Sequence, residues 1–353
     1  MNQQIYKLLS PLNYYARTYQ SSWRKFAERR SMTVVIYYHR VVATSEDNKN
    51  LFADEEGITA DVFKSHLQFM LKHFEPVLPS EISRYQGIPG LRFAVTFDDG
   101  YEDNYSVAAP ILKSMGIPGG FFVVNDFVGS DRLFWWEQLS NMFRESKASF
   151  INIGKIEPDW VSQSLCQPTL SLRSFNEKYR AQTQIAAAMR HTPPQNITTH
   201  LSNLAYALDV ACPNTGRLFP MMNWDQVREL AEQGFDIGGH TASHMNLGFA
   251  GSGDLSTEVV EATQKLTEKL GREVKIFAYP YGTYRHYTND VINAVKEAGC
   301  QLAFTTNTGI ASEALNPYEI PRVKFHRKMA FACAYNIHQA FRKPLRRQTV
   351  TVA

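Results

Sequence analysis

The sequence predicts an α/β fold built as a single barrel, because apolar strand-like runs alternate with amphipathic helical segments along most of its length. Polar residues follow directly after several of these runs. In βα barrels the active residues lie at the carboxyl ends of the strands, so this placement agrees with the same architecture. The chain has 353 residues, which is enough to bury one large core.

The strands and helices can be assigned in order from their patterns. The runs Val34 to Tyr38 and Leu91 to Phe97 predict buried strands. Three later segments repeat one scheme, in which an amphipathic helix ends at a glycine and a strand follows. The helices are predicted at residues 103–115, 224–231 and 288–298, the glycines are Gly116, Gly234 and Gly299, and the strands follow at 119–124, 235–237 and 301–305.

The alternation weakens between Val128 and Asn223, where the sequence is mostly helical with little strand character. We therefore expect a helical insertion at about residues 129–222. It would lie within a barrel domain of residues 32–330. An amphipathic basic helix is expected before this domain, at residues 1–31, and a basic tail after it, at residues 331–353.

Two adjacent carboxylates, Asp98 and Asp99, stand at the end of the second apolar run, where Gly100 follows them. The glycine predicts a turn, so the two side chains can point in different directions. Adjacent carboxylates repel each other, and a cation that binds one of them leaves the other as a base. The motif therefore predicts a metal site, although an Asx-type turn with two solvated aspartates also explains it when it is taken alone.

Two imidazoles four residues apart, His240 and His244, follow another short apolar run. Such a pair can bind one ion, although alone it is also typical of a surface or hydrogen-bonded pair. Two histidines with one carboxylate leave open positions for water and substrate, as catalytic metal sites do. Non-haem iron oxygenases use the same ligand types, but no segment suggests a 2-oxoacid pocket, so we rank that interpretation last.

A third motif, Pro280-Tyr281-Gly282, breaks a strand-like run that begins at Val274. A turn of this kind exposes backbone N–H groups, which can stabilise an oxyanion. An ordinary loop is the alternative interpretation.

The three motifs in this order resemble those of the polysaccharide deacetylase family, also called the NodB-homology family or carbohydrate esterase family four. The resemblance covers about residues 33–323. It implies a distorted (β/α) barrel of seven or eight strands and one divalent metal ion, zinc before cobalt, nickel or manganese. The roles it implies are Asp98 as general base, Asp99, His240 and His244 as metal ligands, and Pro280 and Tyr281 as substrate-binding residues, with the Tyr281 N–H on the oxyanion.

The sequence departs from the family pattern just before the Pro-Tyr motif. Ala278 and Tyr279 stand where the family has an arginine. Arg322, in a late strand, is our candidate to orient Asp98 instead, because it could bring a fixed positive charge near the base. A structural ion pair is the alternative for Arg322.

A second departure concerns the general acid, because no Leu-x-His motif occurs near the C-terminal end. His39 follows the first apolar run, which resembles the opening strand of circularly permuted exopolysaccharide deacetylases. In a closed barrel the first strand lies beside the last, so His39 could take the place of the missing acid. His326 is the competing candidate, and a hydrogen-bonded core histidine is the alternative for His39.

The net charge of +3 is too small to indicate a nucleic-acid-binding protein, but cations concentrate near both ends of the chain. A helix starting near residue 10 would carry an aromatic face and several cations, so it could lie on an anionic membrane or pack on the outside of the barrel. The basic residues Arg342, Lys343, Arg346 and Arg347 could assist membrane contact. We see no signal peptide, which favours a cytoplasmic protein, and the basic termini could make it peripheral at the inner face of the membrane.

We therefore expect a metal-dependent hydrolase that removes an N-acetyl group from an amino sugar of a surface polysaccharide or its lipid-linked precursor. In this mechanism Asp98 takes a proton from water, and His39 protonates the leaving amine. The alternatives are a deformylase of a lipid-linked amino sugar and a carbohydrate-binding protein with a decayed site.

Overall fold

The structure, a computed structural model, describes residues 17–49, 51–53, 55–157, 159–160, 167–312, 316–325 and 330–342. The chain divides into two compact units. The larger unit comprises Met1–Ala43, Ile58–Gly129 and Met221–Ala353, and the smaller unit comprises Thr44–Gly57 and Ser130–Pro220.

Twelve strands occur among the described residues. In chain order they are β1 (Ser31–Tyr38), β2 (Val41–Val42), β3 (Ile58–Thr59), β4 (Glu75–Pro76), β5 (Gly90–Phe97), β6 (Gly119–Val123), β7 (Phe150–Asn152), β8 (Thr169–Ser171), β9 (Asp236–Gly239), β10 (Ile276–Ala278), β11 (Leu302–Thr308) and β12 (Ile320–Lys324).

The α-helices are distributed along the same residues. They are α1 (Thr18–Ala27), α2 (Ala60–Leu71), α3 (Ala109–Ser114), α4 (Trp135–Glu145), α5 (Ile153–Ile156), α6 (Phe175–Met189), α7 (Pro194–Leu208), α8 (Trp224–Glu232), α9 (Ser252–Leu255), α10 (Ala262–Leu270), α11 (Asn289–Glu297) and α12 (Ala330–Arg342). Two segments are π-helical: Asn104–Ala108 leads directly into α3, and Ser256–Glu261 joins α9 to α10.

Seven parallel strands close the barrel. Their order is β1-β12-β11-β10-β9-β6-β5, and β5 pairs with β1 to complete the ring, while β4 adds one strand beside β5. The pairing is uneven, since β1 and β5 match over eight residues whereas β9 and β10 meet only at Gly239 and Phe277. The prediction of a distorted (β/α) barrel of seven or eight strands is confirmed.

The strands are buried on both faces, as expected when helices cover a parallel barrel. Alternate residues of a strand point to opposite faces, so residues two apart share one face. One apolar cluster contains Val35, Ala94, Phe122, Phe304 and Ile320, which come from five different barrel strands. Thr96 lies two residues after Ala94 in β5, and Arg322 lies two residues after Ile320 in β12. These two polar side chains therefore face the same interior.

The smaller unit is mainly helical. Its longer helices α4, α6 and α7 pack around an apolar core, and β7 pairs with β8 as a short antiparallel hairpin. A buried carboxylate, Glu55, forms an ion pair with Arg144 at 2.7 Å within this unit. The segment Thr44–Gly57 belongs to it although no feature of the sequence indicated that.

The aromatic face of α1 packs against other elements of the larger unit, to which α1 belongs. Tyr19 and Trp23 are buried, Trp23 contacts Phe74, and Tyr19 contacts His338 of α12. The basic side chains of α1, such as Arg24, are exposed. Residues 1–16 and 343–353, which include the start of the expected N-terminal helix and three cations of the tail, lie outside the described residues. Among the described helices, none combines the length and the apolar character that crossing a membrane requires.

Candidate active site

The two carboxylates at the end of β5 point in different directions because the backbone turns between them. Asp99 has a φ of 75° and Gly100 a φ of 86°, so the chain leaves the extended conformation at the second aspartate. The Asp98 N–H still donates to the Tyr38 carbonyl at 2.9 Å, which continues the pairing of β5 with β1. The Asp98 side chain therefore points as that of a residue in strand β5 does, whereas the Asp99 side chain points as that of a turn residue does.

Arg322 of β12 binds Asp98 through both carboxylate oxygens. Nη1 donates to Oδ1 at 2.7 Å and Nη2 donates to Oδ2 at 2.8 Å. The guanidinium has no exposed surface, and it also donates to Thr96 Oγ1 at 3.2 Å and to the Thr305 carbonyl at 2.9 Å. The guanidinium carbon also lies over the ring of Tyr37, 4.6 Å from the ring centroid, and this contact helps to hold the side chain in place. Arg322 is thus placed where it can orient Asp98, as its sequence position suggested.

The pKa of Asp98 reflects this partner. Burial raises the pKa, but the Arg322 guanidinium and the imidazoles of His240 and His39 lower it, so that the net pKa lies below the usual value. The carboxylate is therefore ionised at neutral pH, which is the form that a general base needs.

Asp99, His240 and His244 form a compact group of three potential metal ligands. The Nε2 atoms of His240 and His244 lie 3.4 Å and 3.3 Å from Asp99 Oδ1, and one ligand atom from each residue falls within 4.8 Å of the others. All three side chains are buried. Two imidazole nitrogens and one carboxylate oxygen at this spacing match the ligand set of a catalytic metal site with open positions.

The orientation of His240 favours metal binding through Nε2. Its Nδ1–H donates to the Ala278 carbonyl at 2.7 Å, which fixes the tautomer and leaves Nε2 facing Asp99. Burial lowers the pKa of His244, although Asp99 opposes this, and the neutral imidazole that results is the form that binds a metal.

The setting of Asp99 also fits a cation. Its Oδ1 atom is buried and makes no hydrogen bond of normal geometry. Burying a carboxylate in this way costs free energy unless a positive charge lies beside it. Burial raises the pKa of Asp99, but the nearby imidazoles of His240, His244 and His39 outweigh this, so that the pKa lies well below the usual value. The residues present therefore fit a divalent ion.

The Pro280–Gly282 turn follows β10 and is fixed to β11. Tyr281 has a φ of 61°, and the Gly282 N–H donates to the Pro280 carbonyl at 2.7 Å, which makes this a tight γ-type turn. Thr306 anchors it, since its Oγ1 donates to the Tyr281 carbonyl at 2.6 Å and its N–H to the Gly282 carbonyl at 2.9 Å. The Tyr281 ring lies against His244, with 5.0 Å between the ring centroids. The structure thus brings this turn beside one of the three potential metal ligands.

His39 lies close enough to this site to respond to its charges. Burial lowers its pKa to about 4, while the charges of Asp99 and Asp98 raise it and those of Lys324 and Arg322 lower it further. The imidazole is therefore neutral at pH 7, which differs from the imidazolium expected of a general acid. His326, the competing candidate, lies outside the described residues.

Sequence reasoning missed the residues that hold the His39 loop. The Asn104 amide donates to the His39 carbonyl at 3.0 Å, and Asp103 Oδ2 accepts from Arg40 Nε at 2.8 Å. Asp103 Oδ1 also accepts the Val41 N–H at 3.3 Å. The closeness of Asp103 to the Asp-Asp-Gly motif was a usable indication, because residues that follow a site motif enter the next helix beside it.

Backbone strain concentrates at this site. Six non-glycine residues among those described have a positive φ, and four of them carry or adjoin the site: Asp99, Thr241, His244 and Tyr281. Such conformations persist only where the surrounding structure holds them, and they are common at functional sites. Their clustering agrees with a functional role for these three turns.

The sequence matches the polysaccharide deacetylase family over residues 89–154 and 180–303, which together are more than half of the chain. A curated relative named after the same family, YxkH of Bacillus subtilis (strain 168), is 27% identical over 100 residues. Those residues are 28% of this chain and 35% of YxkH, so the match spans about a third of the length of that relative.

Solved structures share the fold. The Streptococcus pyogenes deacetylase PplD, in complex with acetate, superposes with a TM-score of 0.54 at 18% identity, over 89% of this chain and all of PplD (100%). IcaB from Ammonifex degensii gives 0.53 at 20% identity, over 86% of this chain and 97% of IcaB. At these identities the likeness shows the fold alone. Because the family match extends over more than half of the sequence, and the three ordered motifs predicted it, the chain belongs to the polysaccharide deacetylase family.

Proposed function

We propose that this protein is a metal-dependent hydrolase that removes an N-acetyl group from an amino sugar. One observation carries the proposal: a carboxylate bound by Arg322 stands directly before Asp99, which faces the Nε2 atoms of two histidines. The base and the metal ligands thus lie side by side at the carboxyl ends of barrel strands, where βα barrels perform their chemistry. Membership of a family of deacetylases supports the same activity.

Each residue has a distinct part in this proposal. Asp99, His240 and His244 would hold a divalent ion, zinc first, which supplies a water of lowered pKa and polarises the amide carbonyl. Asp98 accepts the proton of the attacking water, and Arg322 keeps its carboxylate ionised and oriented. The turn at Tyr281 lies beside His244, where a backbone N–H can donate to the developing oxyanion.

His39 is the proposed source of the proton for the leaving amine. Its pKa of about 4 means that it must take up a proton during the reaction before it can act as an acid. Loss of the amine product in a His39→Ala variant that still binds metal would support this step.

The substrate we propose is an acetylated amino sugar of a surface polysaccharide or of its lipid-linked precursor. The family match supports a glycan, and PplD was solved with acetate, the acyl product that this reaction would release. Exposed cations on α1, including Arg24 and Lys25, support contact with an anionic membrane surface. The location on the cytoplasmic side stays a prediction from the sequence, which fractionation of the producing cells would test.

The first experiment is an assay of acetate and formate release by the full chain loaded with Zn²⁺. Acetylated and formylated amino sugars are supplied as free oligomers and in lipid-linked form. We expect acetate release to fall by about 100-fold to 10,000-fold in Asp98→Asn, because the base is lost. Bound Zn²⁺ should stay near wild-type levels, since Asp98 is not a proposed ligand.

The outcomes separate the parts of the proposal. Equal rates on free and lipid-linked substrates would contradict the lipid-linked precursor, and release of formate alone would identify a deformylase. If Zn²⁺ binds but neither acyl group is released from any substrate, the proposal of a hydrolase is wrong and a carbohydrate-binding protein becomes the better interpretation.

A further inference from the structure

The loop that carries both histidine ligands, residues 240–244, has an unfavourable backbone conformation. Thr241 and His244 have φ values of 67° and 64°, in the left-handed region that non-glycine residues seldom adopt. Such a conformation persists only where contacts from the surrounding structure hold it. The placement of the His244 imidazole therefore depends on whatever holds this loop.

One residue, Glu258, accepts three hydrogen bonds from the middle of the loop. Its backbone carbonyl accepts the Ala242 N–H at 3.1 Å. Its carboxylate accepts the Ser243 N–H on Oε2 at 2.9 Å and the Ser243 hydroxyl on Oε1 at 2.6 Å. Ser243 directly precedes His244, so this carboxylate fixes the residue next to a proposed ligand.

Glu258 is held in a position from which it can fix the loop. Glu258 is 9% exposed and lies in the π-helical segment Ser256–Glu261. Segments of this kind are rare, and they occur frequently at functional sites. Because ordinary helix flanks the segment at α9 and α10, Glu258 is presented from a supported element rather than from a free loop.

Other contacts hold other parts of the loop. The Asn125 and Asp126 N–H groups donate to the Thr241 and Ala242 carbonyls at 3.2 Å and 3.0 Å. The His244 N–H donates to Thr241 Oγ1 at 2.8 Å, which keeps the loop closed on itself. Without the Glu258 carboxylate these contacts persist, but Ser243 loses two bonds, and the strained φ of His244 can relax.

We propose that Glu258 is a positioning residue that holds His244 in its metal-binding orientation. The inference rests on the proposed function, because it assumes that His244 binds a metal ion. Partners that orient a ligand without touching the ion commonly change metal affinity by about 10-fold to 100-fold when they are removed. A residue of this kind acts before any substrate is present, so metal affinity is its direct measure.

The test measures the Zn²⁺ dissociation constant by competition with a chelating indicator, for the full chain and its variants. We expect Glu258→Ala to weaken Zn²⁺ binding by about 10-fold to 100-fold and Glu258→Gln, which retains one acceptor, by less. Ser243→Ala removes only the hydroxyl bond and should cause a smaller loss. The matched control is Glu261→Gln on the same π-helical segment, whose exposed carboxylate accepts only from Ser256 in the bonds described, at 3.1 Å.

Hydrogen exchange of the metal-free proteins gives a second readout. The Ser243 amide should exchange faster in Glu258→Gln than in the wild type, while amides of β5 and β9 stay protected. If Glu258→Ala does not fold, as judged by circular dichroism, Glu258→Gln and Ser243→Ala provide the test. Wild-type Zn²⁺ affinity in both Glu258→Gln and Ser243→Ala overturns the inference. A loss of Zn²⁺ affinity in Glu261→Gln as large as that in Glu258→Gln also overturns it. A wild-type protein that binds no Zn²⁺ instead overturns the proposed function itself.

Discussion

The arginine that binds Asp98 comes from β12, and it satisfies the carboxylate through both oxygens at 2.7 Å and 2.8 Å. Arg322 and Asp98 are 224 positions apart in the chain. Both side chains are almost completely buried, with 0% and 3% of their surface exposed. A buried pair of this kind stabilises the fold only while both partners are present, because either one alone is an uncompensated charge.

We expect Arg322→Ala to lower the free energy of unfolding by about 3–5 kcal/mol, because it leaves the Asp98 carboxylate buried without its partner. Urea denaturation of the metal-free protein measures this. The control is Arg84→Ala, which removes an exposed pair with Glu81 and should cost less than about 1 kcal/mol. Similar losses in the two variants would contradict the importance of the buried pair.

Arg322→Lys tests positioning apart from stability. A lysine keeps the positive charge but cannot donate two parallel bonds, so Asp98 loses its fixed orientation. We expect kcat to fall while the Zn²⁺ affinity stays near that of the wild type. A loss of Zn²⁺ affinity as large as the loss of kcat would indicate that Arg322 supports the metal ligands instead.

Among the elements, the segment that follows β1 is held by Asp103 and Asn104, which stand at the start of the π-helical segment Asn104–Ala108. Asp103 binds Arg40, the neighbour of His39, and burial raises the pKa of Asp103 to about 6, a rise that Arg40 only partly offsets. The unfolded-state pKa is about 3.8. The folded state therefore holds the proton more tightly, and the stability that this contributes is present below pH 4 and lost as the pH rises through 6.

The prediction concerns the difference in unfolding free energy between the wild type and Asp103→Asn, both without metal. Asparagine does not titrate, so the difference should change by about 2–3 kcal/mol between pH 4 and pH 7, with the wild type losing stability relative to the variant. Urea denaturation at a series of pH values measures it. A difference that is constant with pH would show that Asp103 titrates near its unfolded pKa.

Strand β9, which leads to His240, is packed too tightly to accept a larger residue at Gly238. A Cβ atom there would lie 2.4 Å from Phe122 Cδ1 and 2.9 Å from Ile276 Cγ1. We expect Gly238→Ala to destabilise the protein by about 1–3 kcal/mol through overpacking. Gly253→Ala in α9 is the control, since its Cβ would meet nothing within 4 Å, and it should be neutral or stabilising by up to about 1 kcal/mol. Thermal and urea unfolding distinguish the two.

For the whole molecule, closure of the barrel assembles the site from strands that are distant in sequence. The pairings of β1 with β5 and with β12 bring the Asp98 turn, the His39 segment and Arg322 to one end of the ring. A metal ion that binds the assembled site but not the unfolded chain must stabilise the folded state.

We expect Zn²⁺ at 100 times its dissociation constant to raise the free energy of unfolding by about 2.7 kcal/mol. Chelation should reverse the gain, and His240→Ala should abolish it. His73→Ala, a half-buried histidine away from the site, should retain it. A Zn²⁺ effect that persists in His240→Ala would point to binding elsewhere on the protein.

The sequence by itself determined the α/β barrel, the family and the local motifs. Asp98 and Asp99 directly follow one apolar run, and His240 and His244 follow another within a few residues, so a short pattern predicts a strand end with polar groups. The ligand types alone then indicate the kind of ion. These features depend on neighbouring residues, and neighbouring residues are what a sequence pattern reports.

Only the tertiary structure decided which distant residues hold these motifs. Arg322 was a candidate from its type and place, but its two bonds to Asp98 exist because β12 closes the barrel beside β1 and β5. Glu258 left no clear pattern, and the closeness of Asp103 to the Asp-Asp-Gly motif did not identify Arg40 as its partner, since each residue acts on a loop from another part of the chain. The docking of α1 was likewise open, because an amphipathic face does not specify what covers it. In each case the contact depends on non-local strand pairing and packing, which short sequence patterns do not encode.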